Sequence, residues 1–216
     1  VKINREKLKQ LVIDGISSDE LKSYDYSQVT DMSELCRFST EIKSIPMMDT
    51  SNVINMSRMF DRCTSLISIP QFDTSNVTNM CEMFVRCDSL KSIPSLNTSN
   101  VTTMRRMFDS CRSLKSIPLL DTSNVTDMSM MFAGCMSLKS IPFINTKSLK
   151  YAGGMFIDCE SLRSIPLLHT SNVEDMDWMF VGCESIKDID PHNFPLFDFN
   201  ELNNKYLRKQ HPELYV

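Results

Sequence analysis

The chain has 216 residues and a formal net charge of −4, so it exerts no bulk electrostatic pull on nucleic acid or an anionic membrane. Glycine is scarce at five and methionine abundant at 16, which is not the composition of a flexible linker. No run approaches the roughly 20 apolar residues that a membrane-spanning helix needs.

Residues 2–16 place Ile3, Leu8, Leu11, Val12 and Ile16 at three- and four-residue spacing, predicting a short amphipathic helix that Gly15 stops. The opening VKINREKLKQ has no apolar signal core. It fits a chain that stays in the cytoplasm or one whose signal has been removed, and the sequence leaves the compartment open. Residues 1–24 are assigned as an N-terminal cap on the repeats that begin at Asp25.

From Asp25 the chain repeats every 24 residues, and the fifth copy reads DTSNVTDMSMMFAGCMSLKSIPFI from Asp121 to Ile144. The cysteine column runs Cys63, Cys87, Cys111, Cys135, Cys159, Cys183, and the proline column runs Pro46, Pro70, Pro94, Pro118, Pro142, Pro166. A fixed period of this length marks a solenoid of stacked coils. Copies start at Asp25, Asp49, Asp73, Asn97, Asp121, Asn145 and His169, which predicts seven coils over residues 25–190 and a stack of about 34 Å.

Within a coil three segments are expected. Leu and Ile of S-L-K-S-I-P face inward in a short strand closed by proline, and these strands stack into one parallel sheet. D-T-S-N-V is turn chemistry, with Asn52, Asn76, Asn100, Asn124 and Asn172 forming a ladder. Val125, Met128, Met131 and Phe132 stand at helical spacing, predicting a helical or 3₁₀ turn on the outer side. Phe84, Phe108, Phe132 and Phe156 are expected to stack as a buried ladder.

F-x-x-C-x-S-L-x-S-I-P joined by D-T-S-N-V-T-x-M resembles the BspA-like leucine-rich-repeat family of bacterial surface proteins, in the form abundant in mycoplasma lipoproteins. The resemblance covers residues 25 to about 190. It implies an α/β leucine-rich-repeat solenoid, a role in adhesion or protein recognition, and a cell-surface or secreted location.

Residues 191–216 leave the repeat and carry Phe194, Phe197, Phe199, Tyr206 and Tyr215. Asn200 onward reads as a capped helix with Leu202, Tyr206 and Leu207 facing in, so the segment is assigned as a C-terminal cap.

Chemistry has few footholds. Side chains in a ladder point the same way, whereas disulfides need converging Cβ vectors, so the six column cysteines read as buried and reduced. Cys36 falls in the phenylalanine column and reads as core; Cys81 falls in a serine column and reads as the exposed thiol. Single cysteines 24 residues apart do not resemble zinc ligands. One carboxylate per coil (Asp25, Asp49, Asp73, Asp121) suits turn capping better than calcium, which takes six to eight oxygens. His169, His192 and Asp190 cluster at the end of the array without the repeated partner a catalytic triad needs. No cofactor or metal is assigned, and the chain is read as non-enzymatic.

Positions that vary inside a fixed frame point outward. One column is Lys43, Lys91, Lys115, Lys139, Arg163 and Lys187, interrupted by Ile67. It reads either as a solvated face that blunts a flat sheet against aggregation or as a binding stripe for an acidic protein surface. A second column follows each proline and turns apolar toward the C-terminus at Leu119, Phe143 and Leu167. With Met130, Met136 and Trp178 it suggests a contiguous apolar patch. The expectation is a protein partner, with no nucleic acid and no membrane insertion, bound by a monomer or weak homo-oligomer. A structural module that pairs with copies of itself, and an inhibitor or effector of an acidic partner, are the alternatives.

Overall fold

The computed structural model describes residues 1–187, 189, 193 and 194. The chain enters along the first coil: Lys2 forms a parallel bridge with Asp25, and the Ile3 N–H donates to the Asp25 carbonyl at 3.1 Å. Helix α1 (Arg5–Ile13) begins where the Asn4 side chain accepts the Lys7 N–H. It ends at Gly15, whose φ of +80° lets the Ile16 N–H fold back to the Leu11 carbonyl at 3.0 Å. Leu8 and Val12 are buried in the core, and Leu11 and Ile16 pack against it as the spacing predicts. A second, unanticipated helix, α2 (Ser18–Leu21), is held by a reciprocal capping box between Ser17 and Glu20.

From Asp25 onward each coil lies on the last in 24-residue register. Parallel bridges run Asp31 to Asn55, Asn79, Thr103, Asp127, Tyr151 and Asp175. The residues after this column account for almost every backbone N–H. In one coil, the Met104, Arg106, Phe108 and Ser110 N–H groups donate to Asp127, Ser129, Met131 and Ala133 carbonyls in the next, at 3.0, 2.9, 2.9 and 2.6 Å. The alternate N–H groups of Met107, Asp109 and Cys111 donate three residues back within their own coil, at 3.1, 3.2 and 3.0 Å. Alternate turns of this run carry a left-handed residue at the third position, as type II turns require: Arg58 and Arg62, Glu82 and Arg86, Arg106 and Ser110.

Two expectations are corrected here. The segment expected to be helical is a run of tandem turns. Three-residue turns bury the same Val125, Met128, Met131 and Phe132 that a helix would. A helix, however, would spend all its N–H groups inside its own coil and leave none for its neighbours. The S-L-K-S-I-P segments, in turn, do not build a sheet of strands. Bonds such as Lys115 N–H to the Lys91 carbonyl (3.1 Å) and Arg163 N–H to the Lys139 carbonyl (3.0 Å) join coils there, and Ser140 to Ser164 is a lone parallel bridge. The run is short, and the proline three residues past each lysine has no N–H for another rung.

The core is a set of columns. Phe60, Phe84, Phe108, Phe132, Phe156 and Phe180 stack with ring centroids 5.4–5.7 Å apart and interplanar angles of 15° or less. Phe194 meets Phe180 edge-on at 5.0 Å. Apart from Asn193 and Phe194, the expected C-terminal cap lies outside the described residues, as do His192 and Asp190.

The turn chemistry is as read. Asp49, Asp73 and Asp121 accept from the N–H and hydroxyl of the serine two residues on, at 2.7–3.0 Å. Asn76, Asn100 and Asn124 each donate to a serine carbonyl one coil back at 2.7 Å. A threonine ladder went unread in the sequence: buried Thr50, Thr74, Thr98 and Thr122 donate to the carbonyl of Asp73, Asn97, Asp121 and Asn145 at 2.8–2.9 Å.

All eight cysteines are free thiols. Each column cysteine donates its Sγ–H to a carbonyl of the coil before it, as Cys111 does to Phe84 at 3.0 Å and Cys135 to Phe108 at 3.2 Å. Burial pushes the Cys63 and Cys183 thiols up to about 12, and those of Cys87, Cys111, Cys135 and Cys159 well above the ordinary range. Cys81 corrects the sequence reading. It is half-buried rather than exposed, and burial followed by the Glu82 charge raises its thiol as well.

Phe108→Ala removes a ring stacked on both sides and is expected to cost about 3–5 kcal/mol. Because each coil touches only its neighbours, denaturant unfolding followed by circular dichroism should then lose its single transition. A loss under about 1 kcal/mol would contradict the ladder's role. Thiol titration should count eight groups in denaturant without reductant, and fewer would mean disulfides. In the native protein Cys81 should react first, slowly at neutral pH and faster as pH rises toward its raised pKa, with the column cysteines protected.

Candidate functional site

Two columns of outward side chains flank each proline. The first is the basic row. Lys43, Lys91, Lys115, Lys139, Arg163 and Lys187 are all exposed. They sit on the line where coils are joined by backbone bonds, since the Lys115, Arg163 and Lys187 N–H groups donate to Lys91, Lys139 and Arg163 carbonyls at 3.1, 3.0 and 3.1 Å. Their Cα atoms therefore rise by one hydrogen-bonded strand spacing, about 4.8 Å. Among the described residues, none of the six has a carboxylate within ion-pair distance. Neighbouring ammonium groups at such spacing repel by about 1 kcal/mol even in water. Serines stand on either side, with Ser92, Ser116 and Ser140 exposed and Ser89, Ser113 and Ser137 half-buried.

The second column is apolar. Leu119, Phe143 and Leu167 are 63%, 57% and 60% exposed, although they sit beside the buried Leu120, Ile144 and Leu168. Leu119 and Phe143 share one groove of about 470 Å³ with Leu96, Asp121 and Asn145. Leu167 lies in a second, smaller depression of about 170 Å³ with Ile165 and Phe194. The basic row lines neither: Lys43 and Lys91 border a separate groove of about 330 Å³ with Ile67, Ser65, Ser89 and Ser113. The two columns are thus parallel strips along the stack, each with its own relief.

Trp178 is 56% exposed but does not extend the apolar strip, and none of these grooves includes it. Its φ of +56° places it in the left-handed column of the tandem turns, with Arg58, Glu82, Arg106 and Met130. Sequence reasoning missed the charge ladder on this face. Arg58 binds Glu82 through Nε and Nη2 at 3.0 and 3.3 Å and lies 3.6 Å from Glu34. Arg37 reaches buried Asp61 at 2.8 Å, and Arg106 reaches Asp109 at 2.7 Å. Burial raises the Glu82 carboxyl, but the Arg58 hydrogen bond and charge outweigh it and leave the group below its ordinary range. The alternation Glu34, Arg58, Glu82, Arg106 down one column was the available signal.

A stack of 24-residue coils with buried Leu, Ile and Phe columns is a leucine-rich-repeat solenoid, and two solved structures show the same fold. The leucine-rich-repeat protein of T. pallidum superposes with a TM-score of 0.59 at 21% identity, over 77% of each chain. One from Eubacterium ventriosum gives 0.50 at 21% identity over 69% of this chain, which spans only 38% of that protein. The chain belongs to the family described as "Mycoplasma protein of unknown function, DUF285", whose model matches residues 7–119 and 91–194. No curated protein matches it.

Proposed function

We propose that the chain is a non-enzymatic recognition module of the adhesion type, an array of seven coils closed by residues 1–24 and 191–216. Its partner is a protein, acidic at its rim and apolar at its centre. The observation that carries this reading is the run of like charge in the lysine row, whereas the turn face mixes paired arginines with the exposed Arg86 and Arg105. Arg37, Arg58 and Arg106 on the turn face are neutralised by carboxylates of their own or adjacent coils. The lysine row has no such partners among the described residues. Beside it Leu119, Phe143 and Leu167 expose large apolar side chains, the kind of surface that marks an interface. The rim charges steer association, and the apolar anchors hold the complex. Trp178 supplies a further contact at the C-terminal end of the turn face.

The test pairs two variants against a partner captured on the immobilised chain. Lys115→Glu with Lys139→Glu should lower the association rate roughly tenfold at low salt and flatten its salt dependence. Phe143→Ala should raise the dissociation rate roughly tenfold. Thermal melting should stay nearly unchanged in both, since these side chains are exposed. Unaltered binding in both variants would move the interface to the turn face or to the C-terminal segment.

A further inference from the structure

We infer that the lysine row by itself is a binding site for a linear sulfated polysaccharide. This goes beyond the protein-partner reading, with which it shares the basic row but not the apolar column.

The row is single-file, one cation per coil. From Lys91 to Lys187 five cations follow one another without interruption, a run of about 19 Å at one strand spacing per coil. Backbone bonds between lysine positions fix that spacing, so it is a property of the stack and not of side-chain choice. Each rung adds hydroxyls to the cation. The side chains of Ser89, Ser113 and Ser137 on one side, and of Ser92, Ser116 and Ser140 on the other, make no hydrogen bond to another described residue. From Lys91 to Arg163 each rung therefore repeats an ammonium or guanidinium, which only donates, between hydroxyls that both donate and accept, whereas at Lys187 the following serine is replaced by Asp188.

A ligand that matches this has to be a chain, because the cations repeat along one line. It has to carry a strong anion at short intervals, because the cations have no counter-charge among the described residues. It also has to bring hydroxyls that donate as well as accept, because the serines do both. A sulfated polysaccharide meets all three conditions. Polyphosphate brings acceptors only, and polyglutamate brings carboxylates without hydroxyls. Single-stranded nucleic acid wants aromatic platforms, which the row lacks among the described residues. The column beyond the half-buried serines reads Asp88, Arg112, Met136, Glu160 and Glu184; Arg112 pairs with Asp88, so the column is acidic only toward the C-terminal end of the row.

The experiment measures binding of the full chain to heparin, with polyphosphate and polyglutamate of matched length as comparators, over a series of salt concentrations. Heparin is expected to bind, with log affinity falling against log salt at a slope on the order of −3 to −4 for five neutralised groups. Polyphosphate and polyglutamate should bind at least tenfold more weakly. Lys115→Gln with Lys139→Gln should weaken heparin binding at least tenfold, whereas Lys150→Gln, on another column, should not. Melting curves of the three proteins confirm that each is folded, and the glutamine changes add no new repulsion. Leu119→Ser with Phe143→Ser should leave heparin binding intact, so failure of the protein-partner reading is separable from failure of this one. Absence of heparin binding at low salt, or equal loss in the Lys150 variant, overturns the proposal. Polyphosphate binding as tightly as heparin overturns it too, because charge alone would then suffice.

Discussion

Within the tandem turns, successive backbone N–H groups take alternate routes: one donates to the next coil, and its neighbour folds three residues back. The rest of the structure depends on this division. The bonds that leave the coil fix the rise between coils, and the bonds that stay fix its curvature. Both sets are made at 2.6–3.2 Å in the run of turns that begins at Met104. The arrangement requires a left-handed residue every fourth position, and most of those positions hold Arg, Glu, Met or Trp rather than glycine. Each such residue costs roughly 1–2 kcal/mol of backbone strain. That cost is offset because the turns bond the peptide groups from Met104 to Cys111 both within and between coils, and an unmatched buried group would cost about as much or more. Stacked phenylalanines and the Sγ–H donors of the cysteine column then fill a space whose dimensions are already set.

The same constraint explains how charge is arranged. A side chain in any column lies one coil-rise from its counterpart, so a column alternating in sign neutralises itself and a column of one sign cannot. Glu34, Arg58 and Glu82 illustrate the first case and the lysine row the second. Identity of the coils thus turns a single residue choice into a property of a whole face. The frame stays fixed while each face is free to differ, which is why the functional reading rests on outward columns alone.

Much of this was legible in the sequence. The period, the inward Leu, Ile and Phe columns, the Asx turns and the asparagine ladder all follow from residue type at fixed spacing, and the structure has them. Two segments were misread for a shared reason. Apolar spacing reports which side chains face inward, and a three-residue turn and a helix give nearly the same answer for Met128, Met131 and Phe132. What separates them is the destination of the backbone N–H groups, which side-chain pattern does not record. In S-L-K-S-I-P inward alternation matches that of a laddered strand, but the proline limits the contact to about one bond per coil. Cys81 and the buried threonines depended on local packing depth, for which a single column letter carries no signal. At the candidate site, the exposure of Lys115, Lys139, Leu119 and Phe143 was readable from their variation inside the frame. Their separation into two strips, and the place of Trp178 on the turn face, were not, because they depend on the path of the coil around proline.

One consequence of the 24-residue register lies outside the protein itself. The bonds of Thr98, Cys111, Asn100 and Met104 each reach a partner set by the period of the repeat and not by identity along the chain. Removing or duplicating one coil leaves the backbone donors of the tandem turns facing equivalent acceptors, although side-chain pairs such as Arg58 with Glu82 are specific to their coils. At the level of the gene, similar tandem segments of a whole number of codons can undergo unequal recombination. The products of such exchanges in this array fold by the same bonds as the parent. Array length, and with it the reach of any outward strip, is therefore a trait that inheritance can change in single steps without passing through an unfolded intermediate form.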